Sequence, residues 1–299
     1  MNKPSLTPDV TPLQKLWAAI MEMLPHHLLS SLMYSVARIE TPFVKNTIIS
    51  QVVKHFDVDM SEAIIEDPLV YKSFNNFFTR KLKTDARPIS PGESDIVSPV
   101  DGEVSQCGSI EEGLLLQAKG RHYSLESLLG GDSGMASAFE NGNFSTIYLS
   151  PRDYHRIHMP ADGHLVSMTH VPGRLFSVSQ STTNAVHNLF ARNERLICQF
   201  KTDNGPMIMI LVGAIFVGSM ETVWSGLVTP AGRRISRWDY DQRSVKQVFL
   251  RKGEEMGRFN MGSTVILLFP GNRIAWDPDH VTGQHVRMGQ RIGGKLFSA

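Results

Sequence analysis

The chain has 299 residues, of which 41% are hydrophobic and 20% charged, and this composition indicates a globular protein rather than a disordered one. The formal net charge is +1 and no run of five like charges occurs, so the sequence gives no reason to expect nucleic acid as a partner. Its two cysteines, Cys107 and Cys198, lack C-x-x-C spacing, which predicts neither a disulfide framework nor a structural zinc site and favours a reducing compartment.

The first part of the chain, residues 1–85, has the pattern of amphipathic helices. Thr11 and Pro12 form a helix start, and apolar residues then recur at helical spacing up to Leu24. Pro25 interrupts this pattern, which resumes over 28–36, and a second start at Thr41 and Pro42 opens a third apolar face over 48–56. These faces either pack on the protein's own core or lie in a membrane interface, and periodicity alone leaves both open.

From residue 86 onward, short apolar runs alternate with Gly, Pro, Asn and Asp, which is typical of strands and turns. The pattern P-x-D-G-x-(V/L) occurs at 99–104 and 160–165, and x-G-Q-x-(V/I) occurs at 282–286 and 288–292. An Asp-Gly pair between apolar positions predicts a hairpin turn. We therefore expect an α+β protein in which N-terminal helices precede a compact β domain, 86–299, of folded-back hairpins, similar at the level of fold to barrel-sandwich modules.

The longest apolar run, 207–218, falls short of the roughly 20 residues that span a bilayer. It predicts a buried core strand or a pair of strands. A chain of this kind that works on a membrane is expected to lie on its surface.

Two candidate sites have simple structural explanations when they are taken alone. His155 and His158 stand three residues apart, but no third ligand follows at a spacing typical of metal sites, so no metal is predicted. Asp101 belongs to the first Asp-Gly pair, and the turn explains it without chemistry.

The third candidate is the bond between Gly262 and Ser263, just before the apolar run 265–269. A loop is the simple interpretation. However, Gly262 leaves its own carbonyl open to attack, and the hydroxyl of Ser263 is covalently close to that carbonyl. Such an attack needs a histidine as base and a carboxylate to orient it, which His158 and Asp101 would supply.

Two other functions stay open on the residues alone. The same Ser, His and Asp could form a hydrolase that does not cut itself, although no G-x-S-x-G elbow is present. Alternatively, the chain could be a non-catalytic β module docked on a membrane. A count of chains on a denaturing gel separates self-cleavage from both.

Taken together, the motifs resemble the phosphatidylserine decarboxylase family of bacterial type. The likeness is specific because many weak motifs occur in one order: 74–89, 98–106, 114–129, 148–163, 212–223 and Gly262-Ser263-Thr264. Where this family usually has Leu before that tripeptide, the chain has Met261, which is apolar and similar in volume.

The resemblance implies a self-processing enzyme. Asp101, His158 and Ser263 look like the family's charge relay, which cuts between Gly262 and Ser263 into a β chain, 1–262, and an α chain, 263–299. Ser263 then becomes a pyruvoyl cofactor, whose carbonyl forms a Schiff base with the substrate amine and replaces pyridoxal phosphate as electron sink. His155 looks like the histidine that the family uses in decarboxylation.

The resemblance also implies the partners. Phosphatidylserine lies in a bilayer, so we expect a peripheral enzyme on the cytoplasmic side of the cell membrane, with the helical segment 1–85 as the membrane-associating part. The two products of the cut would stay together as a heterodimer, which could dimerise further.

Overall fold

The computed structural model describes residues 20–118, 120–216, 219–229, 231–240 and 247–296. Its helices are α1 His26–Val36, α2 Pro42–Phe56, α3 Phe74–Phe78, α4 Leu125–Leu128, α5 Ser133–Ser137, α6 Gln180–Ala185 and α7 Leu189–Arg192, with a 3-10 turn at Pro68–Val70. Its strands are β1 Asp95–Val97, β2 Gly102–Ser109, β3 Leu114–Ala118, β4 Arg121–Ser124, β5 Asn143–Tyr148, β6 Arg156–His158, β7 Gly163–Val171, β8 Arg195–Thr202, β9 Gly205–Val212, β10 Met220–Thr222, β11 Gly226–Leu227, β12 Ser236–Asp239, β13 Phe249–Leu250, β14 Glu255–Phe259, β15 Thr264–Phe269, β16 Ile274–Trp276, β17 His285–Val286 and β18 Arg291–Lys295.

The N-terminal helices begin where the sequence predicts. Helix α2 has Pro42 in its first turn, where the missing N–H costs nothing, and ends at Asp57 in the left-handed conformation with φ of 53°. Helix α1 starts directly after Pro25. Of the first predicted helix, only its end at 20–23 is described and helical, while the start at Thr11 and Pro12 lies outside the described residues.

Between α2 and β1 the chain is mostly irregular, although the sequence pattern predicted helix as far as residue 85. The exceptions are the 3-10 turn at Pro68–Val70 and the five-residue α3. The N-terminus of α3 is capped by the hydroxyl of Ser73, which accepts a hydrogen bond from the N–H of Asn76. Three aromatic rings of this short helix, Phe74, Phe77 and Phe78, are buried in a small core against α2.

The core of the β domain is a nine-stranded antiparallel sheet with the order β12-β7-β8-β9-β15-β5-β2-β17, in which β13 also pairs with β7. Strand β15 lies in its interior, between β9 and β5, and every residue of β15 is buried. This explains why its sequence is a continuous apolar run rather than an alternating one. The predicted core strand within 207–218 is confirmed as β9.

Smaller antiparallel sheets surround this one, with the orders β1-β18-β16, β11-β10-β14-β6 and β3-β4. The α+β class and the β-rich domain are confirmed. The described strands form open sheets, and no closed barrel is seen among them.

The Asp-Gly pairs do not form the predicted hairpins. Gly102 and Gly163 begin β2 and β7, but the preceding strands β1 and β6 pair with β18 and β14 instead. Gly102 is required for space rather than for a turn, because a Cβ there would collide with the carbonyl oxygen of Tyr148. The x-G-Q pattern does mark turns, since Gly283 and Gly289 have φ of 88° and 86°.

The described helices are all too short or too polar to cross a bilayer. Cys107 and Cys198 both carry free thiols, in agreement with the sequence prediction.

Candidate active site

The bond between Gly262 and Ser263 lies where the chain passes from β14 into the central strand β15. The carbonyl oxygen of Ser263 accepts a hydrogen bond of 2.9 Å from the N–H of Leu149, which extends the pairing of β15 with β5. The side chain of Ser263 is fully buried, and its hydroxyl has no hydrogen-bond partner among the described residues. Sheet pairing therefore fixes the backbone of Ser263 while its nucleophilic atom stays unengaged.

Gly262 is closely surrounded. A Cβ at this position would lie 3.3 Å from Nε2 of His155, 3.4 Å from the carbonyl oxygen of Leu149 and 3.9 Å from the ring of Phe78. A larger residue would push these groups away from the bond. Gly262 thus brings the imidazole of His155 directly against the backbone at the predicted cut.

The tautomer of His155 follows from its hydrogen bond. Its Nδ1 lies 2.9 Å from the carbonyl oxygen of Asp153, so Nδ1 carries the proton and donates it. Nε2 is therefore a bare lone pair, and this buried atom has no partner among the described residues. Burial, assisted by the nearby cation of Arg80, lowers the pKa of His155 to about 3, so the ring is neutral at physiological pH.

His158 has both ring nitrogens engaged. Nδ1 donates to the carbonyl oxygen of Gly253 at 2.7 Å, and Nε2 accepts a hydrogen bond of 3.0 Å from the hydroxyl of Tyr154. Burial lowers the pKa of His158 below its usual value. It is thus a neutral histidine whose basic nitrogen is covered by a phenol.

Asp101 is bound by other groups. Its carboxylate accepts hydrogen bonds from the guanidinium of Arg87 at 2.5–3.1 Å and from the N–H of Met288 at 2.8 Å, and Arg87 also pairs with Glu62. The structure of the uncut chain therefore shows no hydrogen bond among Asp101, His158 and Ser263. The histidine that it places against the bond is His155.

An apolar cavity of about 570 Å³ lies beside this bond. It is lined by the region around 20–29, by the helices α2 and α3, and by the segments 148–151, 177–179 and 214–216. Met261 and Gly262 also line it, whereas Ser263 does not. A molecule with apolar chains that filled this cavity would therefore contact Gly262.

Two features of the site were not assigned a role from the sequence. The ring of Phe78 packs on His155 with centroids 4.0 Å apart, and Nδ2 of Asn75 donates to the side chain of Asn260, two residues before Gly262. Both residues belong to α3, within a motif that contributes to the family resemblance, but residue type alone gave no indication of contact with the cut.

No group of three or more His, Cys, Asp or Glu side chains within the described ranges is arranged to hold a metal ion.

Comparison with known proteins gives two family matches. A family model described as "Phosphatidylserine decarboxylase" matches residues 74–294, and one described as "PSD" matches residues 16–57. Proteins named "Phosphatidylserine decarboxylase proenzyme" are similar over almost their whole length. That of Azotobacter vinelandii is 54% identical over 91% of this chain and 95% of its own length. That of Bordetella petrii is 54% identical over 90% of this chain and 93% of its own length. That of Bordetella pertussis is 52% identical over 93% of this chain and 94% of its own.

Proposed function

This chain belongs to the phosphatidylserine decarboxylase family, and from that premise we propose that it decarboxylates phosphatidylserine to phosphatidylethanolamine after cutting itself between Gly262 and Ser263. The relatives' names describe proenzymes, which supports processing of the chain. One observation of the structure carries the proposal: the buried hydroxyl of Ser263 has no partner among the described residues. The apolar cavity that reaches the preceding Gly262 agrees with it.

The proposed cut proceeds through an ester. The hydroxyl of Ser263 attacks the carbonyl of Gly262, the C–N bond breaks, and the chain is joined through Oγ. Elimination then breaks the Cβ–Oγ bond and frees residues 1–262. The dehydroalanine left at position 263 hydrolyses to a pyruvoyl group with loss of ammonia.

We assign His158 and Asp101 to the charge relay of this cut. Burial is the main influence on the pKa of His158 and lowers it, while the negative charges of Glu255 and, more weakly, Asp101 favour the protonated form that a base needs once it has taken the proton of Ser263. In the uncut chain the hydroxyl of Tyr154 covers Nε2 of His158. The relay thus requires that His158 exchange Tyr154 for Ser263.

The site fits the proposed cofactor because the hydroxyl of Ser263 is buried and unpartnered among the described residues and the imidazole of His155 lies against the preceding Gly262. When formed, the pyruvoyl group supplies a carbonyl that condenses with the substrate amine and accepts the electrons left by departing CO₂. His155 is the proposed proton donor to the substrate Cα. Because Nε2 is unprotonated in the uncut chain, this role requires that it take up a proton in the processed enzyme before it gives that proton to Cα.

The cavity supports a lipid as substrate. Its lining is almost wholly apolar and includes Leu24, Leu29, Val52 and Phe56 from the N-terminal region. Acyl chains entering between these helices and the β domain would place the serine head group at Ser263. This also supports the proposed division into a membrane-associating segment, 1–85, and a catalytic domain, 86–299.

We propose that the protein docks peripherally on the cytoplasmic side of the cell membrane, and the surface near the cavity supports docking on a bilayer. Large apolar side chains of the N-terminal region are exposed to solvent: Met23 (86%), Leu28 (68%), Leu32 (62%) and Phe43 (83%). Leu28 and Leu32 are one helical turn apart in α1 and therefore share a face. Apolar side chains of this kind gain free energy when they enter the interfacial region of a bilayer.

Replacing Leu28, Leu32 and Phe43 together with serine should weaken membrane binding by at least about tenfold, because three apolar groups no longer leave water. The measurement is co-sedimentation with vesicles of phosphatidylcholine and phosphatidylserine. A matched control replaces Val223, Leu227 and Phe249, which are exposed apolar residues of the β domain, and should bind like the wild type. Equal binding by both triple variants would contradict the assignment of the docking surface.

The self-cleavage is tested by a denaturing gel and intact mass of the purified protein. The proposal requires two chains, 1–262 and 263–299, the second without a free N-terminal amine, together with conversion of phosphatidylserine to phosphatidylethanolamine. A single intact chain would favour the hydrolase instead. Size measurement under native conditions shows whether the two chains stay together and dimerise further.

A further inference from the structure

Arg80, which follows α3, is a buried cation with too few partners. Its side chain is 4% exposed, and Nη2 donates to the carbonyl oxygens of Arg152 and Asp153 at 2.8 and 3.4 Å. Nε and Nη1 have no hydrogen-bond partner, and no carboxylate forms an ion pair with Arg80, within the part of the chain that the structure describes. The carboxylates of Asp101 and Asp153 act on Arg80 only through space. A buried guanidinium with unused donors is unfavourable unless some state of the protein supplies partners for them.

The other buried arginines show how unusual this is. Arg195 donates to four different backbone carbonyls, and Arg87 and Arg156 form ion pairs with carboxylates. Each of these cations is compensated in the uncut chain. Arg80 therefore has donors that its present surroundings do not use.

Arg80 is also placed close to the cut. The carbonyl oxygen of Asp153 accepts hydrogen bonds from both Arg80 and Nδ1 of His155, while Nε2 of the same imidazole faces Gly262. Phe78, two residues before Arg80, packs against His155 and against Gly262. The imidazole of His155 thus links Gly262 to the backbone carbonyl that Arg80 contacts.

The proposed cleavage creates an anion at this place. In the elimination step a base removes the Cα proton of residue 263, the Cα–Cβ double bond forms, and the electron pair of the Cβ–Oγ bond leaves on oxygen. That oxygen becomes part of the carboxylate of Gly262. Met261 packs against the small aromatic core around α3, and this contact would keep the new chain end near Arg80, whose guanidinium lies 5.7 Å from the ring of Phe77.

We propose that Arg80 binds the carboxylate that self-cleavage creates at Gly262. The guanidinium stabilises the leaving group of the elimination step, and afterwards it holds the new chain end away from residue 263. This inference rests on the proposed cleavage. It assigns to Arg80 a ligand that the protein itself produces, and it explains why two donors are left unused before the cut.

The test follows the two steps of cleavage separately in Arg80→Gln. The ester should still form, but its elimination should slow by about tenfold or more, because the leaving carboxylate loses a charged donor. The variant should therefore accumulate as one band that neutral hydroxylamine splits, giving residues 1–262 as a hydroxamate by intact mass. Arg80→Lys, which keeps the charge, should restore much of the rate, and Lys81→Gln, at the exposed neighbouring position, should be cut like the wild type.

The outcomes separate the inference from the function on which it rests. If the wild type is cut and Arg80→Gln is cut equally fast without a hydroxylamine-sensitive band, the role of Arg80 is wrong and the cleavage stands. If the wild type stays in one piece and hydroxylamine does not split it, the cleavage itself is wrong.

A purely structural role is tested in the uncut Ser263→Ala background, where no carboxylate forms. Arg80→Gln should lower the melting temperature less there than in the processed enzyme, where the carboxylate also loses its partner. An equal loss in both backgrounds would show that Arg80 supports only the fold, and it would overturn the proposal.

Discussion

Ser263→Ala is expected to remain one chain of 299 residues and to lose at least about 10⁴-fold in decarboxylase activity. The alanine has no hydroxyl to attack Gly262, so neither the ester nor the cofactor can form. The fold should be retained, because Ser263 contributes its backbone carbonyl to the sheet and its hydroxyl bonds to no described residue. Intact mass and a decarboxylation assay on dispersed phosphatidylserine measure both effects.

Ser145→Ala is the matched control. Ser145 is as buried as Ser263 and lies in the adjacent strand β5, opposite Leu267, but its hydroxyl bonds to His280 rather than facing the cut. This variant should be processed and active. Two chains in Ser263→Ala, or full activity of its single chain, would refute the proposed origin of the cofactor.

The second large effect concerns His158 and His155, which we expect to act in different steps. His158→Asn should block the cut or slow it by more than about 10²-fold, because the proposed base is gone. His155→Asn should still be cut, but the processed enzyme should lose about 10²–10⁴-fold in decarboxylation for lack of a proton donor at the substrate Cα. The measurements are cleavage followed on a gel and activity per mole of processed enzyme.

The reverse result would be equally informative. If His155→Asn stays uncut and His158→Asn is processed normally, the base is the histidine that lies against the bond, and the relay proposed from the family resemblance is wrong.

The pH dependence of the cleavage rate adds a check on the role of His158. Since burial lowers the pKa of His158, its Nε2 is unprotonated at neutral pH, so the cleavage rate should be constant from pH 8 to 7 and fall only at pH values below the usual pKa of a histidine, as the ring gains a proton.

Local sequence patterns predicted the elements whose cause is local. Thr41 and Pro42 mark the start of α2 because the first turn of a helix tolerates proline, and the apolar run in 207–218 is β9 because a doubly covered strand needs no polar face. The Asp-Gly pairs misled because Gly102 serves a close approach to the backbone of β5, a strand about 40 residues away along the chain. The pairing of strands that lie far apart in the sequence cannot be predicted from a six-residue motif such as P-x-D-G-x-(V/L).

The site shows the same limit. A Gly-Ser pair before a strand is common in proteins. Gly262 and Ser263 were therefore predicted to be a cleavage site only because the surrounding motifs resemble a family. The contact of His155 with Gly262, and the hydrogen bonds that engage His158 with Tyr154 and Asp101 with Arg87, depend on tertiary packing. The unused donors of Arg80 also depend on tertiary packing and have no signature in the sequence.

The position of β15 has a consequence for how the molecule matures. The proposed cut falls at the entrance to an interior strand that is paired on both edges, so the short fragment 263–299 would begin in the middle of the sheet. A separate fragment would have to insert between β9 and β5, which in its absence would pair with each other or aggregate. The proposed cleavage must therefore follow folding. The peptide bond between Gly262 and Ser263 is dispensable only after β15 has paired with β9 and β5. Maturation is then irreversible. Once the processed enzyme is unfolded, its two chains are no longer linked between β14 and β15, and they should not refold together.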